Sequence, residues 1–312
     1  MHKKNQFYSA MVVVLIAAAS CQKSDVQSPS DSKEFNESDF GLQTTASAPS
    51  SYLSRALVED YTGAWCGYCP RLGYKFEELT TNNPRIILQA NHNDDVMQTT
   101  DESKLEGYYP ILGFPTAWMM RNKTFNDNGD IIDLSDTAQV SAAYLGSNSS
   151  VGLAIGTRLQ GNLLKGVVKV GFGSTYTLPL KLVVNLVEDN IVASDDPQSN
   201  YYNTSPVGNP FFGLGSYIPT YIHHNVYRTA ATDALGDLIP ADKTVAGKQY
   251  SYNFTINLSQ YNKSNCKVIA FVVVDEKKLS LTDVYIKNKK YKGIQNVQWV
   301  NAGNYINFEA IQ

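Results

Sequence analysis

The stretch Glu59-Asp-Tyr-Thr-Gly-Ala-Trp-Cys-Gly-Tyr-Cys-Pro70 decides how the chain is read. Ala56 to Tyr61 reads as a short strand that Thr62 and Gly63 break. Pro70 to Thr80 reads as a helix: Leu72, Phe76 and Leu79 recur at helical spacing, and Pro70 suits a first turn. A Cys-x-x-Cys pair therefore falls where a strand ends and a helix begins. Unpaired N–H groups and the helix dipole favour negative charge there. First thiols of such motifs have pKa values of roughly 3.5 to 7.5, against about 8.5 for a free Cys. Cys66, expected to lie open to solvent, is thus the predicted nucleophile. Cys69, one turn on, is placed to attack a mixed disulfide and release the product thiol.

Two acids precede this turn. With its side chain inward beneath Cys69, Asp60 accepts the proton of that thiol, its pKa raised by burial. A one-residue change of register gives the place to Glu59 instead. A solvent-facing acid with no role is the third option.

Outward from the motif, Asn82-Asn83-Pro84 stops the helix, and Arg85 to Ala90 is a second strand. Asp101 to Tyr109 reads as a helix, Gly113-Phe114-Pro115 as a turn, and Thr116 to Met120 as a strand. From Ser150 the texture changes. Segments 151–155, 164–170, 180–187, 250–256 and 267–274 are strand-like, several alternating as in a half-buried antiparallel sheet. Val297 to Val300 offers an edge strand. The expected fold class is an α/β domain over residues 52–148, followed by an all-β sandwich of immunoglobulin-like type over 149–312.

The N-terminus carries Lys3 and Lys4, then an apolar run from Phe7 to Ala19. The run is shorter than the roughly 20 residues of a membrane span and has the layout of a secretory signal. Ala18, Ala19 and Ser20 precede Cys21, which resembles a bacterial lipobox. Residues 1–20 are read as the signal and Cys21 as the lipidated residue; an ordinary signal with an incidental Cys is the alternative. Residues 21–51, rich in Ser, Asp, Gln and Thr, read as a tether.

The formal charge of −3 gives no basic face for nucleic acid. Four cysteines do not make a disulfide-dense scaffold, and an exported compartment permits thiol–disulfide chemistry. Cys266 opens an apolar strand and reads as a buried, inert thiol. A zinc site needs two ligands beyond the pair. Only Cys266, His92, His223 and His224 are on offer, so no metal is expected, and no cofactor beyond the redox disulfide Cys66–Cys69. His223 and His224 read as structural loop residues; His92 is given no role. Residues 200–228 carry Tyr201, Tyr202, Phe211, Phe212, Tyr217, Tyr221 and Tyr227 among Gly and Pro. The segment exceeds the usual loop. It is expected to pack over the sandwich, with peptide or partner binding as the alternative.

Trp65, the Cys66/Cys69 pair and the later Pro115-Thr116 resemble the thioredoxin superfamily. The resemblance implies a cis Pro115 packed against the cysteines. It also implies an extended substrate bound through the backbone of Phe114, with Trp65, Gly67, Tyr68 and Thr116 around it. The Gly67-Tyr68 dipeptide is similar to that of bacterial disulfide isomerases of the DsbC type. A wider resemblance rests on the lipobox, the Leu57-Val-Glu-Asp-Tyr-Thr-Gly63 start with its CxxC-Pro, Gly113 to Thr116, His224 to Arg228, Gly236-Asp237 and Val297 to Ala302. These look like the Omp28 family of outer-membrane lipoproteins of the Bacteroidota. Residues Leu279 to Gln295 exceed that family's usual final turn. The resemblance implies an outer-membrane, lipid-anchored location on the periplasmic or cell-surface face.

Two functions are consistent with these residues. One is an envelope-anchored thiol–disulfide oxidoreductase, reductase or isomerase, whose partners are exported proteins with cysteines or a membrane redox donor. The other is a redox-inactive surface lipoprotein that binds or scaffolds, with a static disulfide.

Overall fold

The computed structural model describes residues 35–109, 111, 113–121, 123–126, 145, 148–205, 209–275 and 293–311. The expected signal over 1–20, Cys21 and residues 22–34 of the expected tether lie outside them, as do 279–292 of the expected long final turn. Residues 35–51, expected as tether, instead pack on the protein: Glu37–Phe40 is a 3-10 helix, and Phe40 and Leu42 are buried with Ala154 and Val167. The first part runs β1 (Ala56–Thr62), α1 (Cys69–Asn82), β2 (Ile86–His92), α2 (Thr100–Tyr108), β3 (Thr116–Met119) and β4 (Lys123–Asn126). The order strand, helix, strand, helix, turn, strand read from the sequence is present. There follow β5 (Val151–Gln160), β6 (Leu163–Phe172), β7 (Leu180–Glu188), β8 (Gln198–Ser199), β9 (Tyr217–Ile218) and β10 (Val226–Ala230). The last are β11 (Asp237–Leu238), β12 (Gln249–Asn257), β13 (Cys266–Val274), β14 (Ile294–Asn301) and β15 (Tyr305–Ile306).

One long sheet has the order β14-β13-β7-β10-β2-β1-β3-β4, with β11 pairing beside β7. A second sheet, β12-β6-β5-β15, is antiparallel throughout. β1 and β2 are parallel and β3 runs antiparallel to β1. The chain is therefore mostly β, with two α-helices among the described residues. The sheet runs without a break across the division at 148/149 drawn from the sequence. The seam is β10, parallel to β2 at Val226 and Ala90 and antiparallel to β7. The Asn225 carbonyl accepts the Ala90 N–H at 2.8 Å.

Burial explains the pattern. β7 sends Val183 and Val187 into one core with Leu72, Phe76 and Leu79 of α1, and Leu182, Val184 and Leu186 into a second core with β5, β6 and β12. Both faces of β7 are thus covered. That accounts for its near-continuous apolar run where half-burial was expected. α1 ends at Asn82, and the N–H of the following Asn83 donates to the Leu79 carbonyl at 2.9 Å. Pro84 follows and disfavours further helix.

One ion pair ties β1 to the chain after β3. Arg121 donates two hydrogen bonds to Glu59, at 2.7 and 2.8 Å. Its guanidinium lies 4.9 Å from the ring centres of both Tyr109 and Phe271. Both charged side chains are buried, so removing one partner leaves an uncompensated charge. Arg121→Met is expected to cost about 3–5 kcal/mol in urea unfolding. Adding Glu59→Gln should recover part of that loss. A single variant within about 1 kcal/mol of the parent would show that the pair is not holding the core.

Candidate functional site: the Cys66–Cys69 turn and the cavity beneath it

β1 ends at Thr62 and α1 begins at Cys69, so the motif occupies the turn between them. Cys66 and Cys69 form a disulfide. No side chain caps the start of α1, which leaves its positive end facing the sulfurs. The Phe114–Pro115 peptide is cis, as the resemblance implied. The Phe114 ring meets the Trp65 ring edge-on at 5.4 Å, and Trp65 Nε1 donates to the Asn93 carbonyl at 2.7 Å. Trp65 and Tyr68 are about half exposed. The Thr116 hydroxyl is turned back onto the Gly113 carbonyl at 2.6 Å.

The register is settled by the two faces of β1. Glu59 points to Arg121, as described, and takes no part in the site. Asp60 points the other way, into a cavity of about 30 Å³ that Cys69 also lines. It is 3% exposed, and its Oδ1 has no hydrogen-bond partner among the described residues. Burial, reinforced by the charge of Glu77, raises its pKa to about 7. α1 passes close over it at Gly73, where a Cβ would sit in ordinary contact with the Tyr221 hydroxyl at 3.8 Å and Asp60 Oδ2 at 3.9 Å.

The aromatic segment corrects the sequence reading. It packs on α1 and the CxxC turn, not over the sandwich. Tyr201 N–H donates to the Gly67 carbonyl at 3.0 Å, and Ser199 N–H to that of Ala64 at 2.7 Å. The Tyr201 ring lies against Gly67 so closely that a Cβ would approach it to 2.4 Å. Tyr201 also meets Tyr68 edge-on at 4.9 Å. Tyr74 of α1 meets Phe211 at 6.2 Å. Gly67, expected at a substrate surface, is therefore buried by this strap. Cys66 is 4% exposed, not open to solvent as expected, because the strap closes one side of the turn.

Several residues of the site escaped the sequence reading. Gln198 is buried, and its side-chain amide reaches the carbonyls of Cys66 at 3.0 Å and Ala64 at 3.1 Å. His92 shares a 2.6 Å contact with Asp95, and its ring lies 5.0 Å from that of His223. Burial alone would raise the Asp95 pKa. Bonds from His92 and from the N–H groups of Ala64 and Met97 outweigh it, so the pKa is lowered. Burial and the neighbouring His92 push His223 down to about 3, which keeps it neutral. Cys266 is buried, and burial pushes its pKa up to about 12. Among the described residues no group of His, Cys, Asp and Glu is arranged to hold a metal ion.

A family model described as Outer membrane protein Omp28 matches residues 102–292, more than half of the chain. The chain belongs to the Omp28 outer membrane protein family. The matched residues include Pro115 and the strap and leave out Cys66 and Cys69. Among curated proteins no sequence matches. Among solved structures the chain is similar to HBP35 of Porphyromonas gingivalis. The match covers 81% of this chain and 76% of that one, with a TM-score of 0.57 and 16% identity. At that identity the likeness is one of fold. No described helix is long and apolar enough to cross a membrane.

Asp60 gives the site a pH signature. Its pKa is about 7 when folded and about 3.8 when free. The stability it supplies is therefore present below pH 3.8 and lost as pH rises through 7. Asp60→Asn should match the parent near pH 4 and exceed it at pH 8 by about 2–4 kcal/mol in denaturant unfolding. An equal difference at both pH values would mean that Asp60 titrates as an ordinary carboxylate.

Proposed function

We propose that this outer membrane family member is a thiol–disulfide oxidoreductase, a reductase or isomerase, held at the membrane by a lipid on Cys21. The reading takes β2-β1-β3-β4 with its two helices as a thioredoxin-like unit, and the rest as an immunoglobulin-like sandwich fused to it. One observation carries it. The disulfide at the uncapped start of α1 sits over a buried carboxyl, Asp60, that shares a cavity with Cys69.

The roles follow from position. Cys66 is the nucleophile, its thiolate favoured by the helix start. Cys69 is the resolving thiol. Asp60, largely ionised above pH 7, takes the proton that Cys69 must lose. Trp65, Tyr68 and Phe114 offer half-exposed aromatic surface to a client, with Pro115 and Thr116 shaping the turn behind them. The clients are exported proteins with cysteines, and the reductant a membrane redox donor. The chain should catalyse reduction of insulin disulfides by dithiothreitol, and Cys66→Ser should abolish that. A parent chain no faster than dithiothreitol alone would sink the enzyme reading.

The second reading, a redox-inactive surface module, is favoured by the match over 102–292, which excludes both cysteines. It expects a disulfide that resists mild reductant and a slow alkylation of Cys66 once reduced.

The anchor has its own test. Cys21→Ser should abolish incorporation of labelled palmitate and move the protein from the membrane fraction to the soluble one. Unchanged labelling would assign the lipid to another residue.

A further inference from the structure

Asp60 is 3% exposed, and among the described residues it lines the cavity under α1. That cavity, about 30 Å³, is of the size that holds one water molecule. On the helix side it is bounded by Glu77, two turns along α1 from Cys69 and half-buried. Of the two carboxyls that line it, Asp60 is buried and Glu77 keeps part of its surface in solvent. Gly73, Tyr221, Ile222 and His224 are the other lining residues with exposed surface.

We infer that Glu77 is the proton exit of the site, passing the proton that Asp60 takes from Cys69 through the cavity to bulk water. The inference rests on the proposed oxidoreductase reading and adds a residue to it. Cys66 thiolate attacks a client disulfide, forming a mixed disulfide and expelling one client thiolate. Cys69 loses its proton to Asp60 and attacks Cys66 Sγ. The Cys66–Cys69 bond forms, the bond to the client breaks, and the second client thiolate leaves. The client disulfide is reduced and the Cys66/Cys69 dithiol is oxidised. Both client thiolates take protons from water, while Asp60 hands its proton to Glu77 and so to solvent.

Among the other titratable groups around the cavity, His223, His92 and Tyr221 are unsuited to the task. His223, on the strap, is buried and held neutral far below its usual range. His92, on β2, is committed to Asp95. Tyr221 is held protonated by burial and by the charges of Glu77 and Asp60. His224, on the strap, lowers the pKa of Glu77 and Asp189 raises it, but burial dominates both and the net shift is upward. Two carboxyls whose pKa values are both raised exchange a proton with less mismatch than Asp60 would have with an ordinary surface acid.

Glu77→Gln keeps the shape and removes the proton carrier, so it is a positioning and relay test and not a test of folding. Two measurements on the full chain separate the possibilities. In the oxidised protein, the Asp60 carboxyl stretch, assigned by its loss in Asp60→Asn, is titrated by infrared difference spectroscopy. In the reduced protein, resolution of a Cys66 mixed disulfide is followed in a single turnover at pH 8. Glu77→Gln should move the Asp60 midpoint to lower pH. It should also slow resolution about tenfold and make the rate rise with imidazole concentration, which the parent's rate does not. An unmoved midpoint, or a slowed rate indifferent to imidazole, overturns the inference. A parent with a near-neutral Asp60 midpoint but no turnover would instead overturn the oxidoreductase reading, leaving the carboxyl coupling measured on its own.

Discussion

The pairing of β10 with β2 is the constraint on which the site depends. Ala90 donates to the Asn225 carbonyl, and Val226 stands level with Ala90 in a parallel register. This contact makes one sheet of what the sequence suggests as two domains. It also fixes where the preceding strap must run. Its residues leave β7, cross the CxxC turn at Gln198 to Tyr201, and return at His223 to enter β10. The cavity beneath Cys69 exists because strand, helix and strap meet there. Without the seam, Asp60 would face water and its raised pKa would have no cause.

Adjacent acids on β1 show how one strand assigns opposite fates. Glu59 is buried with a bidentate arginine between two aromatic rings, so its charge is matched. Asp60 is equally buried, but Glu77 rather than a cation is the charge that acts on it, and among the described residues one of its oxygens lacks a hydrogen-bond partner. The first arrangement is structural, since breaking it exposes an unpaired charge to a low dielectric. The second keeps a proton loosely enough to exchange near neutrality. Period-two geometry decides which is which.

Local chemistry was legible in the sequence, and long-range chemistry was not. The CxxC turn, α1 with Leu72, Phe76 and Leu79 inward, and the inert Cys266 all follow from patterns within a few residues. Asp60 and Glu59 were both candidates because a buried central strand carries no alternation to fix its faces; all seven residues of β1 are buried. Gln198 was invisible for a different reason. Its carbonyl partner at Cys66 is 132 positions away, and a lone glutamine before an aromatic segment has no local signature. The length and the tyrosines of the strap mark it out, yet sequence pattern gives no direction to an irregular segment. The sandwich is its expected surface, whereas tertiary pairing carries it to α1.

The unmatched carboxyl also bears on which functional reading the fold supports. A scaffold that only holds shape gains from replacing a buried, half-partnered acid with an amide or an apolar residue, because the charged form is penalised at every pH above its pKa. A disulfide at the helix start needs no acid below it to remain closed. A resolving thiol at the place of Cys69, as proposed, would need one, since it would have to shed a proton while buried. Local instability of this kind is what a reacting site requires and a static one does not. The strap covers Cys66 and Gly67 and leaves Trp65 and Tyr68 half exposed, with the Phe114 ring edge-on to Trp65, so aromatic surface stays open beside the turn.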